Sequence, residues 1–341
     1  MDESANVPRP DADSRKPFDR FDAALQDEAM DRTDIVAVSA FYPPVMEALT
    51  AIYAVHRLDQ AADRAAFLAP LKDKVRGVAT FTGKVDAALM EALPRLEIIA
   101  SMSIGLDHID LVAAKARGIR VTNTPGVLTD DVADLAIGLM IAVARRLVVA
   151  DRYVRDGGWL KGPMPLQSKL GGTTLGVLGM GRIGQAIAKR AAAMGMTVVY
   201  HNPRPKPEVP YRYYPDLAVM AADVDYLVVA VPGGTATQHL VDARIIAALG
   251  PKGAIINVAR GSVIDQAALI AALTARKLAG AGLDVFEDEP RVPETLTRLD
   301  SVVLTPHVGS ATHATRLAMG RLMLDNLAAQ FGRKPLLTRA V

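Results

Sequence analysis

The sequence predicts an α/β protein made of two doubly wound parallel sheets, one domain inserted into the other. Three observations predict it. Short β-branched runs alternate with helical stretches along almost the whole chain. A glycine-rich turn stands mid-chain between one such run and one such stretch. The 341 residues, half of them hydrophobic, suffice for two ordinary cores.

In chain order, the N-terminus (MDESANVPRPDADSRKPFDRFD) is polar and proline-bearing with no apolar run. Residues 1–30 are therefore expected to form a tail or peripheral helix and not a secretory signal. Strands are predicted from Asp34, Tyr53, Gly77, Leu96 and Arg120, with helical segments from Pro44, Asp86 and Asp110 between them. Thr129-Asp130-Asp131 reads as an N-cap with acids in the first turn, opening a long helix to about Arg155 that connects the domains. A second series of strands starts at Thr174, Thr197, Tyr226, Ala254, Ala279 and Val302. Helices over 182–194, 216–222, 242–249 and 265–277 separate them, and a last helix over about 311–332 returns to the first domain. The expected boundaries are a flavodoxin-like substrate domain, 31–125 with 310–341, enclosing a Rossmann dinucleotide domain, 126–309.

A formal charge of +2, from 39 basic and 37 acidic residues, argues against nucleic acid or a membrane surface as the main partner. The most apolar stretch, Leu135–Ala144, is too short to cross a bilayer and is bounded by Asp134 and Arg145-Arg146. The absence of cysteine removes disulfides, thiolate catalysis and cysteine-based zinc, and fits a cytoplasmic protein. No metal site is expected.

The glycine turn reads Gly179-Met180-Gly181-Arg182-Ile183-Gly184, directly after a strand and at the start of a helix. Gly179 suits the tight turn, Gly181 the approach of backbone to a pyrophosphate, and Gly184 the closure of helix onto strand. At the end of the next strand an NAD site would carry an acid for the ribose 2′-hydroxyl. Here Asn202 stands in that place, preceded by His201 and followed by Arg204 and Lys206. A neutral amide with an Arg suits a 2′-phosphate and predicts NADP(H) over NAD(H), unless Arg204 and Lys206 are merely solvated.

Three late strand ends carry the candidate chemistry: Asn-Val-Ala-Arg260-Gly, Leu-Asp284-Val-Phe-Glu-Asp-Glu289-Pro and Thr-Pro-His307-Val-Gly-Ser. Reducing a 2-oxo acid requires a group to hold the carboxylate, one to polarise the ketone and one to protonate its oxygen. Arg260 offers a permanently charged planar fork. His307 is the candidate acid, and Glu289 the carboxylate that orients the imidazole and favours its charged form.

These motifs, with Ser103-Ile104-Gly105-Leu106-Asp107, resemble the D-specific 2-hydroxyacid dehydrogenase family from about Asp34 onward. The resemblance implies that Arg260, Glu289 and His307 are the catalytic trio. It implies that Asp284 binds the nicotinamide carboxamide and that Val231, Pro232 and Val258 line the cofactor path. It also implies that backbone N–H groups at Ile104 and Gly105 hold the substrate carboxylate; from the residues alone, that loop is a glycine turn after a strand. Within the family the chain is most similar to NADPH-dependent glyoxylate/hydroxypyruvate and hydroxyphenylpyruvate reductases. Such enzymes are homodimers in which the segment around Trp159 reaches a second subunit; this Trp either caps the partner's pocket or has a plain interface or core role. Phosphoglycerate dehydrogenases of the same fold prefer NAD, formate dehydrogenases carry Gln in place of Glu289, and dinucleotide-sensing corepressors lack a need for turnover. Pocket width is expected to depend on Phe81, Ile104 and the arm bearing Trp159.

Overall fold

The computed structural model describes residues 32–341, so the expected N-terminal tail lies outside the described residues. The chain forms two compact units. One holds the described residues up to Pro125 together with Arg316–Val341, and the other Gly126–Thr315.

The first unit carries β1 (Asp34–Ala37), β2 (Ala54–Arg57), β3 (Gly77–Thr80), β4 (Ile98–Ser101) and β5 (Arg120–Thr122). They pair in the order β2-β1-β3-β4-β5, all parallel. β3 and β4 are buried at every residue, as a parallel strand covered on both faces must be. Aspartates start the crossover helices that follow β3 and β4. Asp86 accepts from the Leu89 N–H and Asp110 from the Ala113 N–H, satisfying donors that a helix leaves open at its start. The long helix His313–Phe331 packs from Arg316 onward into this unit. Gly320 permits it, since a Cβ there would lie 2.3 Å from a Val45 methyl. Asn326, fully buried, accepts from the N–H groups of Leu337 and Thr338 and donates to the Thr338 hydroxyl. It thereby folds the last residues back beside β5, where Thr122 pairs with Arg339.

The second unit carries β6 (Thr174–Leu178), β7 (Thr197–His201), β8 (Arg212–Tyr213), β9 (Tyr226–Val229), β10 (Ala254–Asn257), β11 (Gly280–Leu283) and β12 (Val302–Leu304). Their order is β12-β11-β10-β9-β6-β7-β8, again all parallel. The order reverses between β6 and β9, and ligands of open α/β sheets bind outside the carboxyl ends of strands at such a point. β8 was not predicted. Only two residues long, it follows a proline-rich turn and carries no apolar run.

The expected long helix to Arg155 is corrected. It runs Thr129–Ala144 and restarts as Leu147–Arg155, because Arg146 adopts φ +48° and ψ +44°, a left-handed conformation that no α-helix tolerates. Nor does Thr129 cap it: the cap position is Leu128, without a side-chain bond. The helix Thr129–Ala144 packs within the second unit. Gly280 and Gly282 admit it, their absent Cβ atoms falling 3.0 Å from Val143 and Leu139, and Arg190 ties its first turns through Asp130 (2.9 Å) and Asp134 (2.6 Å). Among the described residues, no helix is long and apolar enough to cross a membrane.

Candidate active site

β6 ends at Leu178 and the next helix starts at Arg182, so the chain must reverse within three residues. Gly179 does this at φ +100°, where a Cβ would also lie 2.7 Å from the Ala230 carbonyl oxygen. At Gly184 a Cβ would meet the Gly179 carbonyl oxygen at 2.0 Å. Both glycines are therefore required by the protein's own packing. Gly181 is different: a Cβ there would meet nothing within 4 Å. Its bareness opens space at the N-terminus of a helix whose first turn no side chain caps. That open cradle, the uncapped N–H groups beginning at Arg182 and Ile183, and the positive end of the helix dipole all suit a pyrophosphate.

Asn202 follows β7, and its Oδ1 accepts from the Met180 N–H at 2.8 Å, bracing the glycine turn. A carboxylate would make the same bond, so the bond does not account for the amide; the missing negative charge is what distinguishes this site. Arg204 is exposed just beyond, while Lys206 pairs with Glu208 at 3.4 Å. Val231 packs on the turn, a methyl 2.8 Å from where a Gly179 Cβ would be. Val258 is buried and Pro232 exposed at neighbouring strand ends.

Asp284, only 2% exposed, organises the loop that carries His307. Its Oδ1 accepts from the Thr305 hydroxyl (2.6 Å) and the Val308 N–H (2.8 Å), its Oδ2 from the Gly309 N–H (2.9 Å). Its carbonyl accepts from the His307 N–H at 2.8 Å. His307 is thereby held at φ +53°, a conformation rare outside glycine and retained where the surroundings impose it. Thr305 had no role in the sequence reading, although it belongs to the Thr-Pro-His motif.

His307 Nδ1 lies 2.7 Å from Glu289 Oε2, and Glu289 Oε1 accepts from the Phe286 N–H at 3.0 Å. Burial acts to raise the Glu289 pKa, but the His307 contact, the Phe286 N–H and the charge of Arg260 outweigh it and hold the carboxyl below its ordinary range. With Nδ1 engaged, Nε2 is the ring nitrogen left to exchange a proton. Arg260 sits just after β10 and is half-buried. Asn257 shapes its turn, accepting from the Ala259 N–H and donating to the Arg260 carbonyl, both at 3.0 Å. Gly261 then passes so close to Phe286 that a Cβ would fall 1.9 Å from its carbonyl carbon. The second unit thus brings a guanidinium and an imidazole–carboxylate pair to adjacent carboxyl strand ends.

In the first unit, the loop after β4 turns its carbonyls inward. Ser103 Oγ donates to the Gly105 carbonyl (2.6 Å), Asn123 to that of Ile104 (3.0 Å) and the Thr124 N–H to that of Ser103 (3.0 Å). The N–H groups of Ile104 and Gly105 donate to no group among the described residues. Trp159, in a short turn over Gly158–Lys161 of the second unit, is 69% exposed. Among the described residues no cluster of His, Cys, Asp and Glu could hold a metal.

A bare glycine turn at an uncapped helix start, with an imidazole–carboxylate pair and a guanidinium on the same sheet, fits a dinucleotide-dependent oxidoreductase. Residues 137–309 match the family model for the NAD binding domain of D-isomer specific 2-hydroxyacid dehydrogenases. The chain is 54% identical over 256 residues to glyoxylate/hydroxypyruvate reductase A of Arabidopsis thaliana, covering 75% of this chain and 82% of that one. It is 49% identical over 276 residues to hydroxyphenylpyruvate reductase of Plectranthus scutellarioides, covering 81% and 88%. The NADPH-dependent glyoxylate/hydroxypyruvate reductase of Sinorhizobium meliloti, solved with NADP and malonate, superposes with a TM-score of 0.86 at 45% identity, covering 91% of this chain and 97% of that one. The protein belongs to the D-isomer specific 2-hydroxyacid dehydrogenase family and is an enzyme.

Proposed function

We propose that this enzyme is an NADPH-dependent reductase of small 2-oxo acids, glyoxylate and hydroxypyruvate foremost and arylpyruvates next, yielding glycolate or D-2-hydroxy acids. The observation that carries this reading is the His307–Glu289 pair at 2.7 Å, set beside Arg260 on a sheet with an open dinucleotide cradle. A bound reduced nicotinamide supplies the hydride. His307 gives the carbonyl oxygen its proton from Nε2, Glu289 stabilises the imidazolium, and Arg260 binds the carboxylate and polarises the carbonyl. In the first unit, the undonated N–H groups of Ile104 and Gly105 are suited to donate to a carboxylate. Asp284, engaged by the His307 loop, keeps an acceptor site on Oδ2 for the nicotinamide carboxamide.

Asn202 and Arg204 favour the 2′-phosphate, because a neutral amide bracing the turn leaves no charge to repel it. Gly179, Gly181, Arg182, Ile183 and Gly184 hold the pyrophosphate, while Val231, Pro232 and Val258 flank the cofactor. The enzyme acts as a homodimer in the cytoplasm; the dimer is supported by the exposed apolar side chains within 147–166. There Leu160 is 94% exposed and Leu166 fully exposed, more than an isolated subunit ordinarily leaves open.

The deciding experiment is a steady-state panel of glyoxylate, hydroxypyruvate and hydroxyphenylpyruvate with NADPH and NADH in parallel. NADPH is expected to give a kcat/KM at least about tenfold higher throughout, worth about 1.4 kcal/mol. Better service by NADH would overturn the reading of Asn202 and Arg204, and no oxidation with any of the three acids would overturn the reductase.

A further inference from the structure

A cavity of about 750 Å³ lies at the amino ends of β3, β4 and β5. This is the opposite edge of the first unit's sheet from the Ser103–Gly105 loop, so it is separate from the site described above. Its size falls within the range of small-molecule pockets. Arg76, Arg120, Arg333, Lys334 and Arg339 line it, against one carboxylate, Glu97.

The internal pairing leaves much of this charge uncompensated. Glu97 uses both oxygens, one for Arg76 Nε at 2.7 Å and one for Gln330 Nε2 at 3.1 Å. It therefore neutralises Arg76, whose guanidinium also lies over the Phe331 ring at 5.1 Å. Among the described residues Arg120 finds only the neutral amide oxygen of Gln330, at 2.6 Å, and Arg339 donates to a Val341 oxygen at 2.8 Å. Arg333 and Lys334 are exposed and have no side-chain partner among the described residues.

Basic residues often gather after a helix to offset its dipole, and the helix His313–Phe331 ends here. That dipole amounts to roughly −0.5 of an elementary charge, which matches one cation at most. Arg120, Arg333 and Lys334 exceed it, and three like charges around one concavity raise the local potential and favour entry of an anion. Phe331, Pro335 and Leu336 give the same cavity an apolar wall, suited to a carbon skeleton.

We propose that this cavity is a second ligand site that binds a small organic polyphosphate, its phosphates on Arg120, Arg333 and Lys334. The proposal is independent of the reductase reading. Its test is titration calorimetry on the full chain with inorganic tripolyphosphate and with ATP, at constant ionic strength, with and without NADPH. Saturable one-to-one binding is expected in both conditions, weakened at least about thirtyfold in an Arg333→Gln/Lys334→Gln variant and in a separate Arg120→Gln variant. Tripolyphosphate binding alone would limit recognition to the phosphates, and ATP binding more tightly would bring in the apolar wall. Absence of saturable heat, equal affinity in the variants, or displacement by NADPH (which would place the anion on the glycine turn) would overturn the proposal. The unfolding temperature of each variant, measured alongside, separates loss of the site from loss of the fold.

Discussion

At His307 the side chain's chemistry and its backbone are set by different neighbours. Glu289 fixes the ring through Nδ1, while Asp284 fixes the main chain through the Val308 and Gly309 N–H groups and its own carbonyl. Replacing His307 by Asn should lower kcat by about 10²–10⁴-fold, the usual contribution of a positioned acid, while NADPH titration gives an affinity near that of the wild type. Retained turnover would remove His307 from the chemistry. The pH dependence follows from Glu289, whose folded pKa is depressed. A depressed carboxyl contributes stability that is complete above its ordinary value of about 4.3 and is lost as pH falls through the lower folded value. Glu289 therefore stays ionised through mildly acid solution, and kcat/KM for reduction should not fall from about pH 6 to about pH 5. A decline centred in that interval would show that the pairing does not survive there. The convergence of Arg260, Glu289 and His307 on adjacent strand ends was legible because each stands in a distinctive motif at such an end. Asp284 as organiser of the His307 loop was not. Its partners lie more than twenty positions away, and two of them are main-chain groups that no residue type announces.

Among the elements, the glycine turn yields the sharpest contrast. Gly181→Ala places a methyl in open space, so the unfolding temperature should stay within about 2 °C of the wild type while NADPH affinity falls. Gly184→Ala drives a Cβ into the Gly179 carbonyl and should cost about 1–3 kcal/mol as well as affinity. Thermal unfolding and fluorescence titration of the two variants would check this, and equal destabilisation would contradict it. The sequence reading assigned these glycines different tasks, and the packing shows the turn at Gly179 and the close approach at Gly184. Most strands were equally legible, since most buried parallel strands here are short apolar runs rich in β-branched residues. The break at Arg146 was not, because Val143 to Ala150 is a continuous stretch of residues compatible with a helix. Only the tertiary setting turns that one residue left-handed.

For the whole molecule, what the sequence left least visible is how apolar surface is covered. The helix Leu147–Arg155 has no buried residue, although Leu147, Val148 and Val154 are hydrophobic, and the same exposure continues through Trp159, Leu160 and Leu166. Light scattering should therefore report twice the monomer mass. A Leu160→Asp/Leu166→Asp variant should shift toward monomer with its far-ultraviolet dichroism unchanged. A wild-type protein that runs as a monomer at micromolar concentration would rule out this assembly. The two sheets themselves follow from the alternation of runs and helical stretches, but the five-strand and seven-strand orders do not, since pairing order is decided by crossovers and not by any local pattern.

The loop pinned by Asp284 has a consequence for the catalytic cycle. Every bond that poises His307 is made by the protein itself, so its placement requires no contact from a dinucleotide. In the proposed cycle, recharging the imidazole between turnovers then asks only for a proton from the surrounding water or buffer, with no segment to refold.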